Sequence, residues 1–129
     1  MEKEFVTYEQ SLALKELGFN EDCLVYFNSQ GSLSTHSDEY EVYLINNDKW
    51  ISSACSAPIK QQVFRWFRNE YKIQSLIQEY LLNTYMYTID DGINNDISIV
   101  GFESYEEAEL ACIDKLIEII KKSTKDKEK

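Results

Sequence analysis

Two copies of one helix-start pattern, near opposite ends of the chain, constrain this sequence more than any other feature. Phe5-Val6-Thr7-Tyr8-Glu9-Gln10-Ser11 and Phe102-Glu103-Ser104-Tyr105-Glu106-Glu107-Ala108 share the form Phe-x-(Ser/Thr)-Tyr-Glu-(Gln/Glu)-small. The Ser or Thr side chain accepts from the backbone N–H three residues on, and the Gln or Glu at that third position reaches back to the capping residue's own N–H. Two helices therefore start at defined points, and the long span between them reads as part of the same body. The repeat fits an internal pseudo-duplication, and equally two independent uses of good capping sequence.

The rest of the chain fills in around these two anchors. The first helix runs from about Tyr8 to Leu17, closed by Gly18 with Phe19 packing back on its last turn. Cys23 to Phe27 and Ser32 to Thr35 are short β-rich runs around the turn Asn28-Ser29-Gln30-Gly31, and Tyr40 to Ile45 is a third strand. Asn46 to Ala57 reads as a loop with Trp50 and Ile51 tucked beneath it, and Pro58 as the first residue of a second helix ending near Tyr71. Ile59, Val63, Trp66, Phe67 and Glu70 mark that helix's inner side. Ile73 to Tyr80 and Thr84 to Asp90 form a hairpin around Leu82-Asn83, although Leu76, Ile77, Tyr80 and Leu81 fit a helical period as well. After the turn Asp90 to Asn95 comes a strand from Ile97 to Val100. The last helix follows from Tyr105 to about Lys122, with Ala108, Cys112, Leu116, Ile119 and Ile120 as its buried stripe. The expected order is α-β-β-β-α-β-β-β-α: a single α+β domain over residues 1–122, antiparallel sheets packed by helices, and a charged tail at 123–129.

Composition narrows the function classes. At 129 residues with 43% hydrophobic and 13% aromatic content, the chain can bury a core, and with Pro58 as its one proline it shows no linker. Met1-Glu2-Lys3-Glu4 lacks the basic start and apolar run of a signal peptide and no apolar run approaches a membrane span, so a cytoplasmic location is expected. Cys23, Cys55 and Cys112, an odd and widely spaced set, read as free thiols. A net charge of −10 disfavours direct nucleic-acid binding, which needs Lys and Arg to displace counterions from phosphate.

Charge is unevenly spread. Residues 58–72 carry Lys60, Arg65, Arg68 and Lys72 against Glu70, and the last helix carries Glu106, Glu107, Glu109, Asp114 and Glu118 against Lys115. Two readings follow: the helices attract each other internally, or Arg65, Arg68 and Lys72, with Trp66 beside them, form a stripe that meets a partner.

Three blocks carry a resemblance. They are the segment Phe5 to Phe19, the segment Ala57-Pro58 followed by Gln61 to Arg68, and the segment Tyr105 to Cys112 followed by Lys115 to Ile119. In this order they resemble small proteins of phages and prophages of gut bacteria. The resemblance implies a mobile-element origin and expression inside a bacterial host cell; it carries no activity, cofactor or catalytic residue.

The remaining chemistry is sparse. His36 is the one histidine, and it lies in the polar stretch Ser34 to Asp38. Cys23, His36, Cys55 and Cys112 lack the paired spacing of a zinc site. Gly92 comes too early in Asp90-Asp91-Gly92 for an EF-hand. The order from Pro58 to Lys122 matches a double-stranded-RNA-binding domain, but Glu106, Glu107 and Glu109 stand where phosphate-gripping lysines belong. No catalytic residues, metal or cofactor are therefore expected. The best-supported expectation is a non-enzymatic protein-interaction module meeting a host or phage protein through Arg65, Arg68, Lys72 and Trp66. Its alternatives are an acidic nucleic-acid mimic built on the last helix and a binder of a small anionic, nucleotide-like ligand near Tyr85, Tyr87 and Arg65.

Overall fold

Thr7 caps the first helix as its sequence dictates. Its hydroxyl accepts from the Gln10 amide at 3.1 Å, and the Gln10 side chain accepts from the Thr7 amide at 3.1 Å. The resulting helix, α1, spans Tyr8–Glu16 in the computed structural model, which describes residues 2–35, 44, 46–49, 54–92 and 96–127. Gly18, with φ +97°, ends it, and the Phe19 amide returns to the Leu14 carbonyl at 2.9 Å, so Phe19 is buried against the turn it closes.

Internal contacts divide the chain into two compact units, Met1–Ile59 and Lys60–Lys129. Between them there is no Gly- or Ser-rich stretch, which is why the sequence alone reads as one domain.

In the first unit, β1 (Val25–Phe27), β2 (Leu33–Thr35) and β3 (Cys55–Ser56) form an antiparallel sheet in the order β2-β1-β3. The β1–β2 turn is held by Asn28, whose side-chain oxygen accepts from the Gln30 and Ser32 amides at 3.0 Å. Gly31 is required there: its φ is +81°, and an added Cβ would stand 3.0 Å from the Tyr8 ring. The third strand is thus Cys55–Ser56, within the stretch expected to be loop; the expected strand Tyr40 to Ile45 lies outside the described residues apart from Leu44, which is in no strand. Asn47 holds this strand in place. It is buried, donates to the Phe19 carbonyl at 2.7 Å and accepts from the Ser56 amide at 2.8 Å, tying β3 to the end of α1. Phe27, Cys55 and Ala57 form one buried cluster here, packed by Phe5, Tyr8, Leu12, Val25 and Leu33.

The second unit contains α2 (Lys60–Tyr71), β4 (Gln74–Glu79), β5 (Tyr85–Asp90), β6 (Asp96–Phe102) and α3 (Tyr105–Lys127). Pro58 does not open α2. Its carbonyl accepts from the Val6 amide and Ile59 pairs with Phe5 within the first unit, leaving Ile59 43% exposed and outside the expected inner side. Val63, Trp66 and Phe67 are buried as their spacing predicts, whereas Glu70 is exposed. Lys72, with φ 59°, ends the helix in the left-handed region, so the chain beyond it does not continue the helix and Gln74–Glu79 pairs as a strand instead. The hairpin turns at Leu82 and Asn83, whose φ values are 26° and 63°.

The three strands form an antiparallel meander in the order β4-β5-β6, with a register shift between Tyr85 and Met86. α3 begins after Ser104, whose hydroxyl accepts from the Glu107 amide at 3.1 Å. Here the second capping pattern departs from the first, because the Glu107 carboxylate accepts from the Glu103 amide, one residue before the cap. The buried stripe of α3 is Ala108, Cys112, Ile113, Leu116, Ile117 and Ile120; Ile119 is only partly covered. The helix also runs through Lys127, five residues beyond its expected end, with Thr124 donating to the Ile120 carbonyl at 3.0 Å.

Candidate functional site

Register assigns each residue of the β4-β5-β6 sheet to one of two faces. Ser75, Ile77, Tyr85, Tyr87, Ile89 and Ile97 share the face that α3 covers. Tyr87 and Ile89 are 4% and 1% exposed, Ser75 hydrogen-bonds Cys112, and Tyr85 meets the Tyr105 ring edge-on at 6.3 Å. The Tyr87 hydroxyl titrates above its ordinary range, chiefly through burial and then through Cys112, Glu118 and Asp114 of the same helix.

The opposite face carries Leu76, Gln78, Met86, Thr88, Ser98 and Val100 at its six central positions, none of them charged, although 28% of the chain is. Its polar groups meet across the strands: Gln78 donates to the Met86 sulfur at 3.4 Å, and the Thr88 and Ser98 hydroxyls lie 3.2 Å apart. Leu76 and Val100 remain 55% and 50% exposed. At the hairpin end, Tyr80, Leu81 and Leu82 are 50%, 64% and 92% exposed. Leu82 holds its left-handed backbone with a branched side chain that ordinarily disfavours it, so this apolar tip is displayed at a conformational cost. No single residue signals this face in the sequence.

The residues singled out from sequence fall elsewhere. Arg65, Arg68 and Lys72 are exposed on α2 and at its end, with the Lys72 ammonium donating to the Asn69 carbonyl at 3.1 Å. Trp66 is 6% exposed, edge-on to Phe67 at 5.0 Å and to Tyr71 at 5.4 Å, so it packs inward while the basic residues face out. The opposition of charge between α2 and α3 is expressed by a different pair. Lys60 and Glu109, 3% and 6% exposed, lie 3.6 Å apart, and Gln61 donates to the same carboxylate at 3.3 Å. Sequence counted Lys60 among the basic residues of its segment but gave no sign that it would be buried. Of the carboxylates proposed as a phosphate-like array, Glu109 is therefore turned inward, and Glu118 accepts from Lys115 at 3.3 Å.

Thiol chemistry is suppressed by burial. Cys23, Cys55 and Cys112 are free and buried; desolvation pushes the Cys55 thiol up to about 11 and the Cys112 thiol up to about 12. Neither is a thiolate near neutrality, which a nucleophile or metal ligand requires. Cys23 and Cys55 belong to the first unit and Cys112 to the second, and His36 lies outside the described residues. Among the described residues no three His, Cys, Asp or Glu side chains gather as a metal site. Asp90 accepts from the Gly92 amide at 2.8 Å, which makes a turn of that segment's start; residues 93–95 lie outside the description. Tyr87, expected beside a ligand, is instead stacked on Phe102 at 5.7 Å. A groove of about 400 Å³ beside α3 is lined by Asp114, Ile117, Glu118, Lys121 and Lys122, a mixed set with no preference for one sign of charge. No helix among the described residues is long and apolar enough to cross a membrane.

No family model, curated protein or solved structure matches this chain.

Proposed function

We propose that this chain is a non-enzymatic protein-interaction module, a phage-type accessory protein acting in the cytoplasm of a bacterial host, and that it meets its partner through the uncharged face of the β4-β5-β6 sheet and the adjoining hairpin tip. One observation carries the reading: Leu76, Val100, Tyr80, Leu81 and Leu82, half exposed or more, stand together with a set of uncharged neighbours on a protein of net charge −10. Apolar side chains kept in water beside uncharged neighbours gain most when a partner covers them. The arginine stripe on α2 is the competing contact, since a guanidinium fork suits carboxylate and phosphate groups.

A paired comparison separates them. Leu76→Ser with Val100→Ser is expected to melt like the parent, within about 0.5 kcal/mol for exposed positions, while losing a host or phage protein that the parent retains. Arg65→Gln with Arg68→Gln is expected to retain that protein. The reverse pattern, read by native mass spectrometry of complexes drawn from host lysate, assigns the contact to α2 and removes it from the sheet. A partner held only at low salt by both variants favours the acidic-mimic reading, whose attraction is screened by ions.

A further inference from the structure

We infer that the partner meets the open face of the β4-β5-β6 sheet with one amphipathic helix, apolar over the centre of the face and cationic at the end that lies over Asp90 and Asp96. The inference rests on the reading of this face as the contact surface and adds the chemistry of what covers it. The shape of the apolar patch selects a helix. Leu76 and Val100, 55% and 50% exposed, stand on the two outer strands, whose axes are about 10 Å apart at the usual strand spacing. A peptide strand added at either edge would reach only one of them. A helix, about 10 Å across with its side chains, covers both. The strands set its length: β4, Gln74–Glu79, extends about 17 Å, which about eleven helical residues match. α3 already covers the opposite face in this way, and a helix on the open side completes a layer arrangement common to sheets.

Charge selects the partner's sign and the direction in which it lies. From Ile73 to Phe102 the chain has no Lys and no Arg; its charged residues are Glu79, Asp90, Asp91 and Asp96. Register sets Asp96 opposite Asp90, in the row of the open face that Gln74 completes, so that end of the face is acidic and has no cation of its own segment. The other end leads to the hairpin tip, where Leu81 and Leu82 are 64% and 92% exposed. The face therefore runs from acidic through uncharged to apolar. A helix with Lys or Arg at one end and apolar residues at the other fits it in one direction only. The net charge of −10 also draws a cationic segment towards the chain and repels an acidic one, a second copy of this chain included.

The test selects binders to the full chain from a displayed library of helices of about eleven residues, varied among Leu, Ala, Ser, Lys and Glu. Selected helices should carry Lys at one end, Leu along one stripe and little Glu, and they should lose binding to Leu76→Ser with Val100→Ser. Asp90→Asn with Asp96→Asn keeps the side-chain oxygen that accepts from the Gly92 amide and should weaken binding about tenfold at low salt and little at high salt. Asp114→Asn with Glu118→Gln removes the same charge from exposed positions of α3 and should change binding less than about twofold. Circular dichroism of each variant should match the parent. A selection that yields no binders, or binders that carry Glu at the end, ignore the sheet substitutions or weaken equally with the α3 pair, overturns the inference. The contact surface itself is judged separately: a lysate protein lost by Leu76→Ser with Val100→Ser but held in full by Asp90→Asn with Asp96→Asn removes the cationic helix and keeps the face.

Discussion

The two faces of the β4-β5-β6 sheet are built from the same three strands and answer to different demands. On the covered face, Tyr87 and Ile89 are nearly sealed beneath α3; on the other, one residue along each strand, Leu76 and Val100 keep half their surface in water. Alternation alone would have put charged residues on the second face, as antiparallel sheets with one wet side usually do. Here the six central positions of the wet side are uncharged and partly apolar, with Asp90 and Asp96 at one end of the face and Met86 buried within it. Burial accounts for Tyr87 and Ile89 on the covered face and for Met86 on the other; the exposure of Leu76 and Val100 is not a demand of the fold.

The strongest way to break that comparison is to show the covered face is dispensable. Ile89→Ala removes a 1% exposed side chain from the central strand and is expected to cost about 4 kcal/mol by denaturant unfolding. A loss below about 1 kcal/mol would place Ile89 among surface residues. Glu109→Ala tests how α3 is held, because it strands the buried Lys60 charge; about 3 kcal/mol is expected. Lys60→Met with Glu109→Leu should recover most of that loss, since the stranded charge is the main source of the penalty.

Alkaline pH probes the same face without a size change. Cys112 titrates at about 12 against its ordinary 9.0, so the unfolded chain releases its proton first as pH rises. The native state then binds more protons than the unfolded state, and stability falls through the window from pH 9 towards 12. Cys112→Ala should flatten that part of the melting-temperature profile, while the profile below pH 8 keeps its shape; an unchanged alkaline slope would assign the fall to the buried tyrosines instead. Ser104→Ala sharpens the comparison at smaller scale. Loss of the α3 cap should cost about 1 kcal/mol, with hydrogen exchange rising first at the start of the helix.

Local rules of the chain were legible in the sequence, and long-range ones were not. Thr7 with Gln10, Gly18 with Phe19, the turn at Asn28 and the hairpin at Leu82-Asn83 depend on neighbours a few residues away, and each appears where spacing puts it. β3 could not be read because two residues carry no period; it exists through a hydrogen bond from Ser56 to Asn47 and pairing with Phe27. Lys60 and Glu109 are 49 positions apart, so their opposite charges were visible and their shared burial was not. The candidate face was the least legible of all, because it emerges only when register sets Leu76, Thr88 and Ser98 side by side.

The central claim is that the uncharged face, and not the arginine stripe, meets the partner. Photo-crosslinking tests it most directly: a benzophenone side chain is placed in turn at Leu76, Leu82 and Arg68, all exposed in the free chain. Irradiation in host lysate should give one discrete adduct from positions 76 and 82 and none from position 68. An adduct from position 68 alone, or equal labelling from all three, would contradict the account.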